Sequence, residues 1–139
     1  MFTAKVYCLM IGSLSGTMEE VYTATEVVRR WNQLNAEPTG KLYLPVEWSA
    51  KPQELEKVDV VIGLVGNWIS NPAFIQKCLD AGKKVVLLFN DFQDPCNTIQ
   101  SEYDAVVAFK HRMQGQYAIA DYRDKDSLSV LLNENLDTL

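Results

Sequence analysis

The sequence predicts an α/β protein whose single sheet of five mainly parallel strands lies between layers of helices. Three observations carry this. Apolar, strand-forming runs alternate with amphipathic helical patterns along the whole chain, and such alternation implies right-handed crossovers between parallel strands. Turn and capping signals separate the runs. The central run, Val58–Val65 (VDVVIGLV), is almost continuously apolar, as strands covered on both faces are. The 139 residues suit one domain, and 47% apolar against 22% charged residues excludes a disordered chain.

Ala4–Ile11 (AKVYCLMI) reads as the first strand. Gly12-Ser13-Leu14-Ser15-Gly16 reads as a turn, with Thr17 as N-cap and Glu20 at the capping-box position. The following helix places Val21, Ala24, Val28 and Trp31 on one face and runs to about Leu34, where Glu37-Pro38-Thr39-Gly40 is expected to break it. Lys41–Val46 (KLYLPV) is the second strand, and Pro52–Lys57 has room for only a short helix. After the Val58–Val65 strand, Asn71 and Pro72 form an N-cap and first-turn pair. Ile75, Cys78 and Leu79 keep helical spacing, and Gly82 is the stop. Lys84–Asn90 is the fourth strand, Thr98–Met113 a helix, Tyr117–Asp121 the fifth strand and Asp126–Leu136 the last helix.

A formal net charge of −5 argues against a nucleic-acid backbone or an anionic membrane as the main partner. A small phosphorylated ligand needs only a local positive site and stays open. Three cysteines (Cys8, Cys78, Cys96) form no CxxC pair, and one histidine, His111, leaves a structural zinc site short of ligands. Cys8 and Cys78 fall in apolar runs and read as small buried hydrophobes. No metal or cofactor is expected. The N-terminal apolar run is too short for a signal peptide and no stretch is long enough to span a bilayer, so a soluble cytoplasmic protein is expected.

The strand order expected is 2-1-3-4-5, the flavodoxin/Rossmann-like arrangement in three layers. Its ligand crevice lies beyond the carboxyl ends of strands 1 and 3, where the winding direction switches. Gly12, Ser13, Ser15, Gly16 and Thr17 combine glycines and hydroxyls at a helix start, which suits phosphate or ribose oxygens and equally suits an ordinary capped turn. The segment is neither a P-loop nor a GxGxxG fingerprint. Glu47 and Trp48 end strand 2; Asn90 and Asp91 end strand 4. A carboxylate at either place would hold a ribose hydroxyl or act as acid/base, or else be a solvated loop acid. Gly66, Asn67 and Trp68 offer an aromatic face for a base, or a cap on the core. Arg29, Arg30, His111 and Arg112 read as solvated, and nothing supports a Ser-His-Asp site.

Ile11–Glu20, followed by Glu26, Val27, Trp31 and Asn32, resembles the opening of bacterial TIR-like domains, which reads roughly S-P-x-D-V-x-E-E-R…E-V-I-x-x-W-N. Leu44-Pro45-Val46-Glu47-Trp48 is similar to their L-x-P-V-x-W strand, Val58–Gly63 to D-[IV]-[LIV]-I-G, and Ala81–Val85 to A-G-K-P-V. Gln100, Tyr103, Val107, Phe109 and Lys110 echo the later helix. The resemblance is patchy but spans most of residues 1–139. It implies a single domain related to nucleoside 2-deoxyribosyltransferases and TIR domains. Those families bind nucleosides, NAD or ADP-ribose derivatives and often cleave the N-glycosidic bond.

The family's acidic S-G-T-x-E-E segment opens the helix after strand 3, where this chain has Ile69–Phe74, with Ala73 and Phe74 in the carboxylate positions. An oxocarbenium-like transition state needs a carboxylate nearby. The expected function is therefore binding of a nucleotide or nucleoside derivative (ADP-ribose or cyclic-nucleotide type) without catalysis, sequestering a signalling nucleotide. The alternatives are an N-glycosidase or deoxyribosyltransferase using Glu47 or Glu20, and a self-associating interaction module. A homodimer or higher homo-oligomer is expected under each.

Overall fold

A strand buried on both faces must carry apolar residues at every position, and β3 (Val60–Val65) does: all six residues are buried. The computed structural model describes residues 1–15, 18–46, 48, 55–91, 98–115 and 118–139. Around β3 lie β1 (Lys5–Ser13), β2 (Lys41–Val46), β4 (Lys84–Asn90) and β5 (Ala118–Tyr122), in the order β2-β1-β3-β4-β5 with every neighbouring pair parallel. This is the Rossmann-like α/β arrangement and strand order that the alternation of runs predicts.

Residue parity sorts the core into two layers. Leu9 and Ile11 of β1 pack under α1 (Met18–Thr39) and α4 (Lys125–Thr138), with Ala24, Val27, Val28 and Trp31 from the first helix and Leu128, Leu132 and Leu136 from the last. Met10 and Leu14 face the other side, under α2 (Ala73–Asp80) and α3 (Gln100–Met113), with Phe74, Ile75 and Cys78 from one and Val106, Phe109 and Met113 from the other. Each fully buried leucine contributes roughly 2 kcal/mol of apolar transfer, so both faces hold the sheet. Trp31 Nε1 donates to Asp137 at 2.8 Å and joins α1 to α4. Asn32 donates to the carbonyl of Tyr43 at 2.7 Å and accepts from its N–H at 3.0 Å, clasping the backbone of edge strand β2. Pro45 is tolerated there because an edge strand can spare a ladder donor.

Several boundaries differ from the sequence reading, four of them with a clear physical reason. β1 runs two residues further, so Gly12 and Ser13 are strand residues paired with Gly63 and Leu64 rather than turn residues. α1 continues through Pro38 to Thr39. Its stop is Gly40 at φ +68°, whose N–H bonds Ala36 O at 2.8 Å. Asn71 does not cap α2. It sits at φ +50°, a conformation asparagine tolerates, and Pro72 takes the N-cap position with no side-chain bond. α4 starts from Asp124 in a reciprocal capping box with Ser127, one residue earlier than the pattern suggested. Gly82 ends α2 at φ +76°, as expected. Cys78 is buried and Cys8 half-buried; both are free thiols. The proposed Thr17 cap and most of the short helix at 52–57 lie outside the described residues. No described helix is long and apolar enough to cross a membrane.

Candidate functional site

The carboxyl ends of β1 and β3 are tied together by the protein's own polar groups. Leu14 N donates to Leu64 O at 2.8 Å, and Leu14 O accepts from Ser70 N at 2.7 Å and from Ser70 Oγ at 3.0 Å. Ser15 is 3% exposed; its hydroxyl donates to Trp68 O at 2.5 Å and accepts from Gly66 N at 2.6 Å. With Leu14 buried as well, the described residues of this seam pack against and bond one another. The sequence placed the ligand there with Ser15 as a phosphate contact. In the fold a small hydroxyl at this point satisfies two backbone groups that burial would otherwise leave unpaired.

Open space bounded by described residues lies on the other side of β1. A groove of about 780 Å³ runs between the ends of β1 and β2 and the flank of α1. Ile11, Gly12 and Ser13 form its inner end, Pro45, Val46 and Trp48 one wall, and Met18, Val21, Tyr22, Thr25, Glu26 and Arg29 the helical wall. It lies beside β2, the edge strand of the described sheet. Its volume lies within the range of about 300–1,000 Å³ usual for small-molecule sites.

Gly12 and Trp48 are the structural hinge of the groove. A Cβ on Gly12 would fall 2.1 Å from Trp48 Cε3 and 2.2 Å from its Cδ2, so only glycine lets the indole lie on the strand. The indole also meets the ring of Phe74 at 5.0 Å in an edge-on arrangement. Trp48 is thus half-buried against β1 and α2, and the remainder of it lines the groove. Phe74 therefore has a packing role: 2% exposed, it supports the wall of the groove.

Of the residues singled out in the sequence, Gly12, Ser13 and Trp48 line this groove. Ser13 Oγ accepts from Ser15 N at 3.1 Å. Gly16, Thr17 and Glu47 lie outside the described residues. Gly66 abuts Ser15 at the seam, and Asn67 Nδ2 meets Thr98 Oγ1 at 3.4 Å. Trp68 lines a separate hollow of about 290 Å³ with Ile69, Ser101, Glu102 and Ala105. Asp91 pairs with Arg123 at 3.5 Å, and with the half-buried Asn90 it ends β4, beside β5. Glu20 is engaged by a hydrogen bond with Tyr122, whose phenol is pushed well up by burial and by that carboxylate. It does not line the groove. Among the described residues no group of three potential metal ligands is gathered.

Sequence reasoning missed the helical wall. Tyr22, Glu26 and Arg29 recur at helical spacing on one side of α1, yet their mixed polarity reads as a solvent face. Arg29 was assigned to solvent; it is 67% exposed but stands at the groove, 3.8 Å from Glu26, which lies equally close to Arg30.

The fold defines a doubly wound α/β protein with its opening at the carboxyl edge of the sheet. No family model and no curated protein matches the chain. Solved structures similar to it include homoserine dehydrogenase of S. aureus. The crystal at pH 7.0 matches with a TM-score of 0.52 at 9% identity, over 85% of this chain and 33% of that one. The crystal at pH 8.5 gives 0.51 at 8%, over 87% and 32%. This chain spans about a third of the length of those enzymes, and the likeness is one of fold.

Proposed function

We propose that the chain binds a nucleotide or nucleoside derivative in the groove between α1 and the ends of β1 and β2, and does not turn it over. The observation that carries the reading is the groove itself. It opens at the carboxyl edge of a doubly wound sheet, beside the switch point where ligands of such folds bind, and its described lining has apolar side chains, two aromatic rings and one cation. The resemblance to TIR-like and deoxyribosyltransferase domains, and the dehydrogenase name of the structural neighbours, support a ligand of this class. The described lining holds a single carboxylate, Glu26, set between two guanidinium groups rather than opposite a second acid. That supports binding over bond cleavage. Sequestering a signalling nucleotide is the role we propose for such a site.

Isothermal titration against nucleosides, mono- to triphosphates, NAD and ADP-ribose is the test. Dissociation constants at or below about the millimolar range are expected for at least one member, weakened in Trp48→Ala. Heats absent for the whole panel end the proposal. Glu47 is flanked by two groove residues, Val46 and Trp48, which favours a second reading as a glycosidic-bond enzyme. Release of free base from NAD or a nucleoside, abolished in Glu47→Gln, replaces the first reading with the second.

A further inference from the structure

Resting on that reading, we propose that Arg29 is the anion anchor of the groove, and that the site selects a heteroaromatic ring carrying one phosphate over the same ring carrying none, two or three. Two observations combine. First, among the described residues that line the groove Arg29 is the one positive charge, beside Glu26 and the phenol of Tyr22. Second, Tyr22 stands on the groove wall with its side largely exposed, seven residues before Arg29. Two helical turns separate them by roughly 10 Å along the axis. That separation suits a base against Tyr22 and Trp48 at one end, a pentose between, and a phosphate at the guanidinium.

Glu26 makes the anchor exchangeable. Its carboxylate lies 3.8 Å from both Arg29 Nη1 and Arg30 Nε, with all three side chains more than half exposed. Ion pairs of that length and exposure hold weakly. A phosphate arriving at Arg29 forms a shorter, bidentate, charge-assisted contact and displaces the carboxylate, which keeps Arg30 as its partner. Glu26 therefore competes with the ligand's phosphate, and its removal strengthens binding.

The experiment is titration of the full chain at low salt with adenosine, AMP, ADP and ATP, repeated with the guanine and uracil series. The wild type is expected to bind a monophosphate about tenfold tighter than its nucleoside, with no further gain from a second or third phosphate. Arg29→Ala brings the monophosphate-to-nucleoside ratio to about one, Arg29→Lys restores part of it, and Glu26→Gln raises monophosphate affinity severalfold. Circular dichroism of each variant checks that it is folded. Nucleosides that bind as tightly as their monophosphates overturn the anchor but leave the nucleotide reading standing. So does a ratio that survives in folded Arg29→Ala, or affinity that climbs with each added phosphate. Silence across every series overturns both.

Discussion

The two sides of β1 at the carboxyl edge of the sheet are built differently. On the β3 side, backbone and hydroxyl groups of Leu14, Ser15, Gly66, Trp68 and Ser70 satisfy one another in a closed seam. On the β2 side, Trp48 leans on Gly12, and about 780 Å³ stays open between the strand ends and one flank of α1. The same strand thus serves a structural joint on one flank and a ligand-sized groove on the other.

Substitutions on the two flanks should separate these roles. The largest effect is expected from Gly12→Ala. The added methyl collides with the indole, so the ring must leave its place, at a cost of about 3 kcal/mol in urea or thermal unfolding, with loss of groove binding. Adding Trp48→Ala removes the clash and is expected to recover part of the stability without recovering the ligand. A Gly12→Ala protein as stable as wild type refutes the close packing.

Ser15→Ala tests the seam. Gly66 N–H and Trp68 C=O lose their shared partner, for about 2 kcal/mol of stability. Ligand affinity is expected to stay within twofold of wild type, since the hydroxyl faces away from the groove. A loss of affinity larger than the loss of stability would return Ser15 to the site.

Alkali probes the cores beneath both flanks. Burial pushes the Cys78 thiol up to about 11 and raises the Tyr122 and Tyr43 phenols. These groups are favoured neutral in the fold, so their contribution is complete below the unfolded thiol and phenol pKa values, about 9 and 10. It is lost as pH rises toward the folded ones. Each group that ionises only on unfolding costs up to about 1.4 kcal/mol per pH unit in that window. Stability from denaturant melts should fall from about pH 9 upward, and Cys78→Ala should shift the onset toward the phenols' window. A flat profile to pH 11 contradicts the burial.

The smallest effect belongs to Asp124→Ala, at the start of α4. It removes the capping box of α4, with a small loss of stability, and is expected to leave binding unchanged. Hydrogen bonds from Ser127 hold the Asp124 carboxyl below its usual value, so its contribution is present above that value and lost as the solution is acidified through the folded one.

The fold was legible because its signals are local and redundant. VDVVIGLV has no polar face, Lys84–Asn90 repeats the theme, and Gly40 and Gly82 mark helix ends by the positive φ they adopt. Pro38 misled because a proline in the last turn sacrifices few helical bonds, so the helix ran past it to Gly40. The site was legible only in part. Gly12, Ser13 and Trp48 were visible from their place at strand ends, but nothing local says that Trp48 lies over Gly12, because the contact joins residues far apart in sequence. The bonds of Ser15 to Gly66 and Trp68 were not legible either, because they join residues about fifty positions apart. The α1 wall was hidden because whether Tyr22 and Arg29 face water or a groove depends on how far the sheet extends beyond β1.

Sheets with an uncovered outer strand invite other chains to add to them, since a row of free amides accepts any extended peptide. In this molecule a single carboxamide occupies that position: Asn32 takes up the N–H and C=O of Tyr43 from above the strand. A strand adding at this edge would have to displace Asn32 before it could pair with Tyr43.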